Sequence, residues 1–142
     1  MVTTENRALA EVPGARLAAL RGNCMGAAVL LIVQFAIGMG VNLYIEVPSG
    51  TSFLAAVFSS ALLAAHAIVA LALLGASVSA LIRAIRARIV VVPAAAGTAA
   101  IVAAAAAGAA FVNSGSDGVS LIMALATAFA MLCYATAIFR LR

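Results

Sequence analysis

The sequence predicts an all-α integral membrane protein built as an antiparallel four-helix bundle. Two observations support this prediction. Charged residues make up 8% of the 142-residue chain, against about 25% in ordinary soluble domains, and the mean hydropathy is +1.26. The chain also contains four uncharged stretches, at residues 22–45, 47–82, 89–116 and 118–139. Each is longer than the roughly 20 apolar residues with which a helix crosses a bilayer.

The first predicted span covers residues 22–45 and follows a polar N-terminal tail, residues 1–21. Its apolar stretch is longer than the roughly 7 to 15 residues of a signal-peptide core, so we expect an uncleaved helix. Pro48, Ser49 and Gly50 end this span, since proline cannot continue a helix and glycine favours turns. Residues 22–142 then form one four-span domain.

The second span is predicted at residues 53–82, with Thr51 or Ser52 as its cap. The third is predicted at 89–112, with Pro93 in the first turn, where a missing N–H costs nothing. The fourth is predicted at 119–139, after a turn rich in Asn, Ser and Gly. Because all three connections are short, successive helices should be antiparallel neighbours.

The arginines predict the topology of the bundle. They occur only in the N-terminal tail, between spans two and three, and after span four, whereas Glu46 and Asp117 lie in the other two connections. The positive-inside rule therefore places both termini in the cytoplasm. The dispersed bases fit anionic lipid head groups, so we expect the lipid bilayer and no nucleic acid as their partner.

Small residues are expected to form the helix contacts, because lipid-embedded helices associate through close packing. Span three is mostly alanine, and two further sets stand at helical spacing in spans one and four. These sets are Gly22 with Gly26, and Ala126, Ala130, Cys133 and Ala137. Such surfaces predict a membrane-protein partner or a homo-oligomer.

His66 is the only histidine and the first candidate for a functional residue. It lies 13 residues after Phe53, about 20 Å into span two, which would place it near the bilayer midplane. Met131 and Cys133 should lie at a similar depth in span four, so haem or copper is one hypothesis. The favoured alternative is no cofactor and a neutral His66 that hydrogen-bonds across helices, for instance to Gln34.

A second candidate is a polar track on span one. It consists of Gln34, Gly38, Asn42 and Glu46, spaced four residues apart. Asn113 and Asp117 repeat that spacing, which could reflect two similar hairpins, as in parallel-repeat transporters. The favoured interpretation is that Asn113 ends one helix and Ser116 or Asp117 begins the next.

Segments 38–44 (GMGVNLY), 108–113 (GAAFVN) and 120–124 (SLIMA) resemble small four-span membrane proteins of unknown function from actinobacteria. The alanine-rich, lysine-free composition suits such a GC-rich genome. The resemblance implies the four-span topology and a bacterial cytoplasmic membrane, but it implies no activity.

The functional hypotheses follow from what the spans contain. No Asp, Glu, Lys or Arg lies within a predicted span, which disfavours proton antiport by a buried acid, and the sequence shows no catalytic triad or phosphate loop. The leading hypothesis is therefore a non-enzymatic accessory or interaction subunit. The alternatives are a haem or metal redox protein using His66, and passage of a small neutral molecule along the polar track.

Overall fold

The computed structural model describes residues 13–46 and 52–142, and this part of the chain is all-α. The helices are α1 (Gly14–Tyr44), α2 (Phe53–Val57), α3 (Ala61–Ala87), α4 (Val91–Ser114) and α5 (Asp117–Arg140). All except α2 are long and apolar enough to cross a membrane. The prediction of a four-helix membrane bundle is therefore confirmed. The predicted turn residues Pro48 to Gly50 and the proposed cap Thr51 lie outside the described residues, as do residues 1–12 of the predicted tail.

The first helix begins earlier than the sequence predicted. α1 starts at Gly14, directly after Pro13, so residues 14–21 of the predicted tail are helical. Ala, Leu and Arg, which dominate this segment, are strong helix formers, and Pro13 lies just outside the helix, where its missing N–H removes no helical hydrogen bond. Leu20 is already buried, so this end of α1 belongs to the packed bundle.

The second predicted span is divided into two helices. Ser59 Oγ donates to the carbonyl of Ala56 at 2.7 Å near the end of α2. Ser60 is extended (φ −142°, ψ 150°) and its Oγ accepts from the backbone N–H of Leu63, which caps the start of α3. The two serines thus satisfy backbone groups that a helix break leaves unpaired. The membrane helix begins at Ala61, eight residues later than predicted.

The four long helices form a ring in which each packs against two neighbours. α1 packs against α3 and α5, and α4 against α3 and α5. We call one end of this bundle the arginine end, because it contains the start of α1, the α3–α4 connection and the end of α5. The exposed arginines there are Arg16, Arg21, Arg83, Arg86, Arg88, Arg140 and Arg142. The opposite, distal end contains Glu46 and Asp117.

The core is closed mainly in the half that adjoins the arginine end. Its largest fully buried side chains include Tyr134, Leu20, Leu31 and Ile89. In the distal half the α4–α5 side is less buried, since no described side chain is buried in residues 102–114 of α4 or 117–129 of α5, whereas Val41, Val57 and Leu63 are buried on the α1–α3 side. The α3–α4 connection lies at the closed end, and its Arg88 and Val90 have positive φ angles of 56° and 48°.

A polar contact between three helices lies inside the closed half. The Tyr134 hydroxyl is 3.2 Å from Thr98 Oγ1, which also lies 3.3 Å from the carbonyl oxygen of Ser77. Gly97 makes this arrangement possible, because a Cβ there would be 2.8 Å from Tyr134 Cε2. The predicted small-residue packing is therefore observed between α4 and α5.

The two predicted small-residue sets have different outcomes. Ala130, Cys133 and Ala137 are buried, as expected of a packing stripe. Gly22 and Gly26 are exposed, and a Cβ at either would have no neighbour within 4 Å. The expected packing role of this glycine pair is therefore wrong within this chain, because the pair lies on the outer side of α1.

Candidate functional site

The most notable polar contact in the distal half joins α1 to α3. Gln34 Nε2 lies 3.0 Å from His66 Nε2, and Gln34 is only 8% exposed. The predicted hydrogen bond between these two residues is confirmed. His66 is therefore held by a side chain from the neighbouring helix.

Two atoms of this pair have no hydrogen-bond partner among the described residues. They are Gln34 Oε1 and His66 Nδ1, and both are buried. If the Gln34 amide donates to His66 Nε2, the imidazole proton is on Nδ1, which leaves one donor and one acceptor unpaired. The reversed amide and the other tautomer also leave one donor and one acceptor. An unpaired buried polar group costs about 1–3 kcal/mol.

Gly38 shapes the space around the imidazole. A Cβ at this position would lie 3.0 Å from His66 Cε1 and 3.6 Å from His66 Nδ1. The His66 ring therefore rests directly against the backbone of α1. Gly38 is one turn beyond Gln34 on the same face of α1, so the two residues together fix the position of the ring.

The break before α3 changes the predicted depth of His66. The residue lies in the second turn of α3, roughly 8 Å from its start by helix rise, and not about 20 Å into the span. The predicted depth assumes one continuous helix from Phe53, but α2 ends at Val57. His66 therefore belongs to the distal half of the bundle.

Met131 and Cys133 lie in the other half. Met131 packs against the closed core, and Cys133 Cβ would be 3.3 Å from a Cβ at Gly97. The neighbouring Thr98 contacts Ser77 of α3, which is 11 residues beyond His66, or about 16 Å along the helix. The structure does not bring Met131 or Cys133 to His66. Nor does it place three or more His, Cys, Asp or Glu residues together as a metal site within residues 13–46 and 52–142.

The polar track divides between two neighbouring helices. Gln34 and Gly38 contact His66 of α3, whereas Asn42 Oδ1 accepts a hydrogen bond from Ser120 Oγ of α5 at 3.1 Å. Glu46 is exposed just beyond the end of α1. Three of the four track residues, Gln34, Gly38 and Asn42, therefore lie at contacts between helices in the distal half. The closed core around Leu31 separates them from the arginine end.

The α4–α5 turn agrees with the interpretation that Asn113 ends one helix and that Ser116 or Asp117 begins the next. Asn113 lies in the last turn of α4, and its side chain is outside the described residues. α4 ends at Ser114, and Gly115 adopts the left-handed conformation (φ 59°) at its C-terminus. Asp117 is the first residue of α5, where its charge is favourable at the helix N-terminus.

A shallow apolar groove runs along the outer side of α4 and α5. It has a volume of about 580 Å³. Its lining comprises Ala96, Ala99, Ala100 and Ala103 from α4 and Ile122, Leu125, Ala126 and Phe129 from α5. Alanines form the α4 side, and the larger side chains of α5 form one wall. We refer to these eight residues as the α4–α5 groove.

The four apolar helices establish the class of the protein. The chain is a multi-pass membrane protein. No protein-family model, curated protein or solved structure matches it, so the resemblance suggested by its short segments identifies no family. The features of the described chain that bear on function are the α4–α5 groove and the Gln34–His66 pair.

Proposed function

We propose that this protein is a non-enzymatic accessory subunit of a membrane complex, and that the α4–α5 groove binds one transmembrane helix of a partner protein. The observation that supports this function is the groove itself. Small residues allow two helix backbones to approach closely, which is the main source of helix association in a bilayer. Four alanines in two successive turns of α4 offer such an approach.

The shape of the groove favours a different protein over a second copy of the chain. A symmetric dimer brings the same patch of both copies together, which would place one concave groove against another. A single helix of a partner is convex and can fill the groove. Leu125 and Phe129, which are 61% and 53% exposed, would contact its side.

The test is to fill the groove and ask whether the partner is lost. The double variant Ala99→Leu/Ala103→Leu adds bulk to the α4 side, and Ala128→Leu is the matched control, because Ala128 is exposed at the same depth but does not line the groove. Each tagged protein is extracted from its own host in a mild detergent. Co-purifying proteins are then quantified by mass spectrometry.

We expect a stoichiometric membrane protein with the wild type and the control, and its loss from the double variant. The helical circular dichroism of all three proteins should be the same, which separates loss of docking from loss of folding. The proposal is overturned if the wild type co-purifies with no stoichiometric partner. It is also overturned if the double variant keeps the partner.

We further propose that the arginine end faces the cytoplasm of a bacterium, with both termini inside. The separation of exposed arginines from Glu46 and Asp117 supports this orientation. In intact cells, a membrane-impermeant maleimide should label Glu46→Cys but should label Arg142→Cys only after permeabilisation. The native Cys24 and Cys133 are buried, so their background labelling should be low. The opposite labelling pattern would reverse the topology.

A further inference from the structure

The short helix α2 has two different faces at the distal end of the bundle. Ala56 and Val57 are buried, and α2 contacts α3 and α4. Leu54 and Phe58 are four residues apart and therefore lie on one face, and they are 66% and 69% exposed. One face of α2 is thus packed against the protein, whereas the opposite face presents two large apolar side chains.

The depth of α2 in the membrane follows from the lengths of the neighbouring helices. A helix crosses the hydrocarbon with about 20 residues, and the arginines mark where three of the helices leave it at the arginine end. Counted from that end, the crossing runs from Gly22 to Val41 in α1, from Ile82 to Leu63 in α3 and from Phe139 to Ser120 in α5. These three residues mark the distal boundary of the hydrocarbon.

Two contacts between helices agree with this count. Asn42 Oδ1 of α1 accepts a hydrogen bond from Ser120 Oγ of α5 at 3.1 Å, so the boundaries counted in α1 and α5 lie at one level. A Cβ at Gly40 would lie 3.4 Å from Leu62 Cδ2 of α3, which brings α3 to the same level. The boundary is therefore consistent across three helices.

The α2 helix lies just outside this boundary. Its last residue, Val57, precedes Leu63 by six residues. Phe58 precedes Ala61, the first residue of α3, by three residues, which span at most about 10 Å. The head groups occupy about 5–8 Å on each side of the hydrocarbon. The exposed face of α2 therefore lies close to the level of the head groups.

The head-group region is also the environment that suits this face. Residues 47–82 contain no charged residue, and contact with lipid removes the apolar surface of Leu54 and Phe58 from water. Tyr44, at the distal end of α1, is 81% exposed, and tyrosine is enriched at the membrane–water interface. The apolar face of α2 is thus continuous in depth with the lipid-facing surface of the bundle.

We propose that α2 is an interfacial anchor, whose Leu54 and Phe58 side chains insert into the lipid interface on the distal side of the membrane. The anchor fixes the depth at which α3 begins. Its partner is bilayer lipid and not a second protein. The inference depends neither on the α4–α5 groove nor on which end of the bundle faces the cytoplasm.

The test measures the depth of nitroxide labels on the purified protein in lipid nanodiscs. Leu54→Cys and Phe58→Cys are labelled one at a time, and spin relaxation by oxygen, which concentrates in the bilayer, is compared with relaxation by a water-soluble nickel chelate. Glu46→Cys is the reference for water. Leu71→Cys is the reference for the hydrocarbon, because Leu71 is 71% exposed and lies about 15 Å from the start of α3.

We expect the ratio of oxygen to nickel relaxation at Leu54 and Phe58 to lie between the two references. Ratios equal to that at Glu46 would place the face in water, and ratios equal to that at Leu71 would place it in the hydrocarbon. Either result overturns the inference, as does a label that neither reagent reaches. The unmutated protein measures the background from the native cysteines, which are buried.

A second measurement tests whether the two side chains hold α2 in place. The label is moved to Ala55, which is exposed on the same helix, and Leu54→Gln/Phe58→Gln is introduced. The ratio at Ala55 should shift toward that at Glu46. The matched control Leu54→Met/Phe58→Leu keeps both positions apolar and should leave it unchanged. An unchanged ratio in the glutamine variant, with the helical circular dichroism intact, would overturn the anchoring role.

Discussion

Replacing Gly97 by alanine should destabilise the closed half of the bundle. The new Cβ would lie 2.8 Å from Tyr134 Cε2, 3.2 Å from Tyr134 Cδ2 and 3.3 Å from Cys133 Cβ. Carbon atoms pack best at about 3.5–4.0 Å, so the ring must move by several tenths of an ångström. Tyr134 is fully buried and its hydroxyl lies against Thr98. Overpacking of this kind costs typically 1–3 kcal/mol.

The expected loss is somewhat below that range, because alanine is about 1 kcal/mol better than glycine in a helix. We expect Gly97→Ala to lower the free energy of unfolding by up to about 2 kcal/mol. The assay is denaturation by a strong detergent, followed by circular dichroism. Gly22→Ala is the matched control, since nothing lies within 4 Å of the new Cβ, and it should be neutral or stabilising.

A second substitution tests the stated cause. Tyr134→Leu removes the ring carbons that the new methyl group contacts. If the cost arises from that contact, Gly97→Ala should destabilise the Tyr134→Leu protein much less than the wild type, giving a measurable coupling between the two sites. Equal stability of Gly97→Ala and Gly22→Ala would refute the argument.

Three further predictions concern α1 and α3. Gln34→Leu alone should cost about 1 kcal/mol in unfolding free energy, because it removes the hydrogen bond to His66 Nε2 together with the unpaired Gln34 Oε1, whereas Gln34→Leu/His66→Phe should be neutral or stabilising; an equal loss in both would contradict this. Gly38→Ala should shift the His66 imidazole resonances, since the new Cβ meets the ring at 3.0 Å. The control Gly40→Ala, which meets only the flexible end of Leu62 at 3.4 Å, should leave them unchanged. Ser60→Ala should cost about 1 kcal/mol through loss of the α3 cap, measured by the same denaturation assay, and an unchanged stability would show that the cap contributes nothing.

The four spans could be predicted because the length of an apolar run is a direct physical requirement for crossing a bilayer. The break between α2 and α3 could not, because it contains neither proline nor glycine. Ser59 and Ser60 form the break by hydrogen bonds to the backbone of α2 and α3, and serine is also common inside membrane helices. Hydropathy averaged over a window does not distinguish these two roles.

The hydrogen-bond partner of His66 could be predicted from the sequence, but the depth of His66 in the bundle could not. A lone histidine in an apolar span needs a hydrogen-bond partner, and Gln34 was an available residue on a neighbouring span. The depth depended on where α3 begins, so the break at Ser60 also moved His66 away from Met131 and Cys133. A haem or copper role for His66 stays a prediction. Its second ligand would have to come from another chain or from a different residue.

Four hydroxyl side chains of the bundle contrast with the Gln34–His66 pair. Each of these hydroxyls donates a hydrogen bond to a backbone carbonyl three or four residues earlier in its own helix; they belong to Ser77, Thr98, Thr127 and Thr136. Gln34 and His66 instead reach across two helices and still leave a donor and an acceptor unpaired. Apolar side chains of similar volume would avoid that cost in a bilayer.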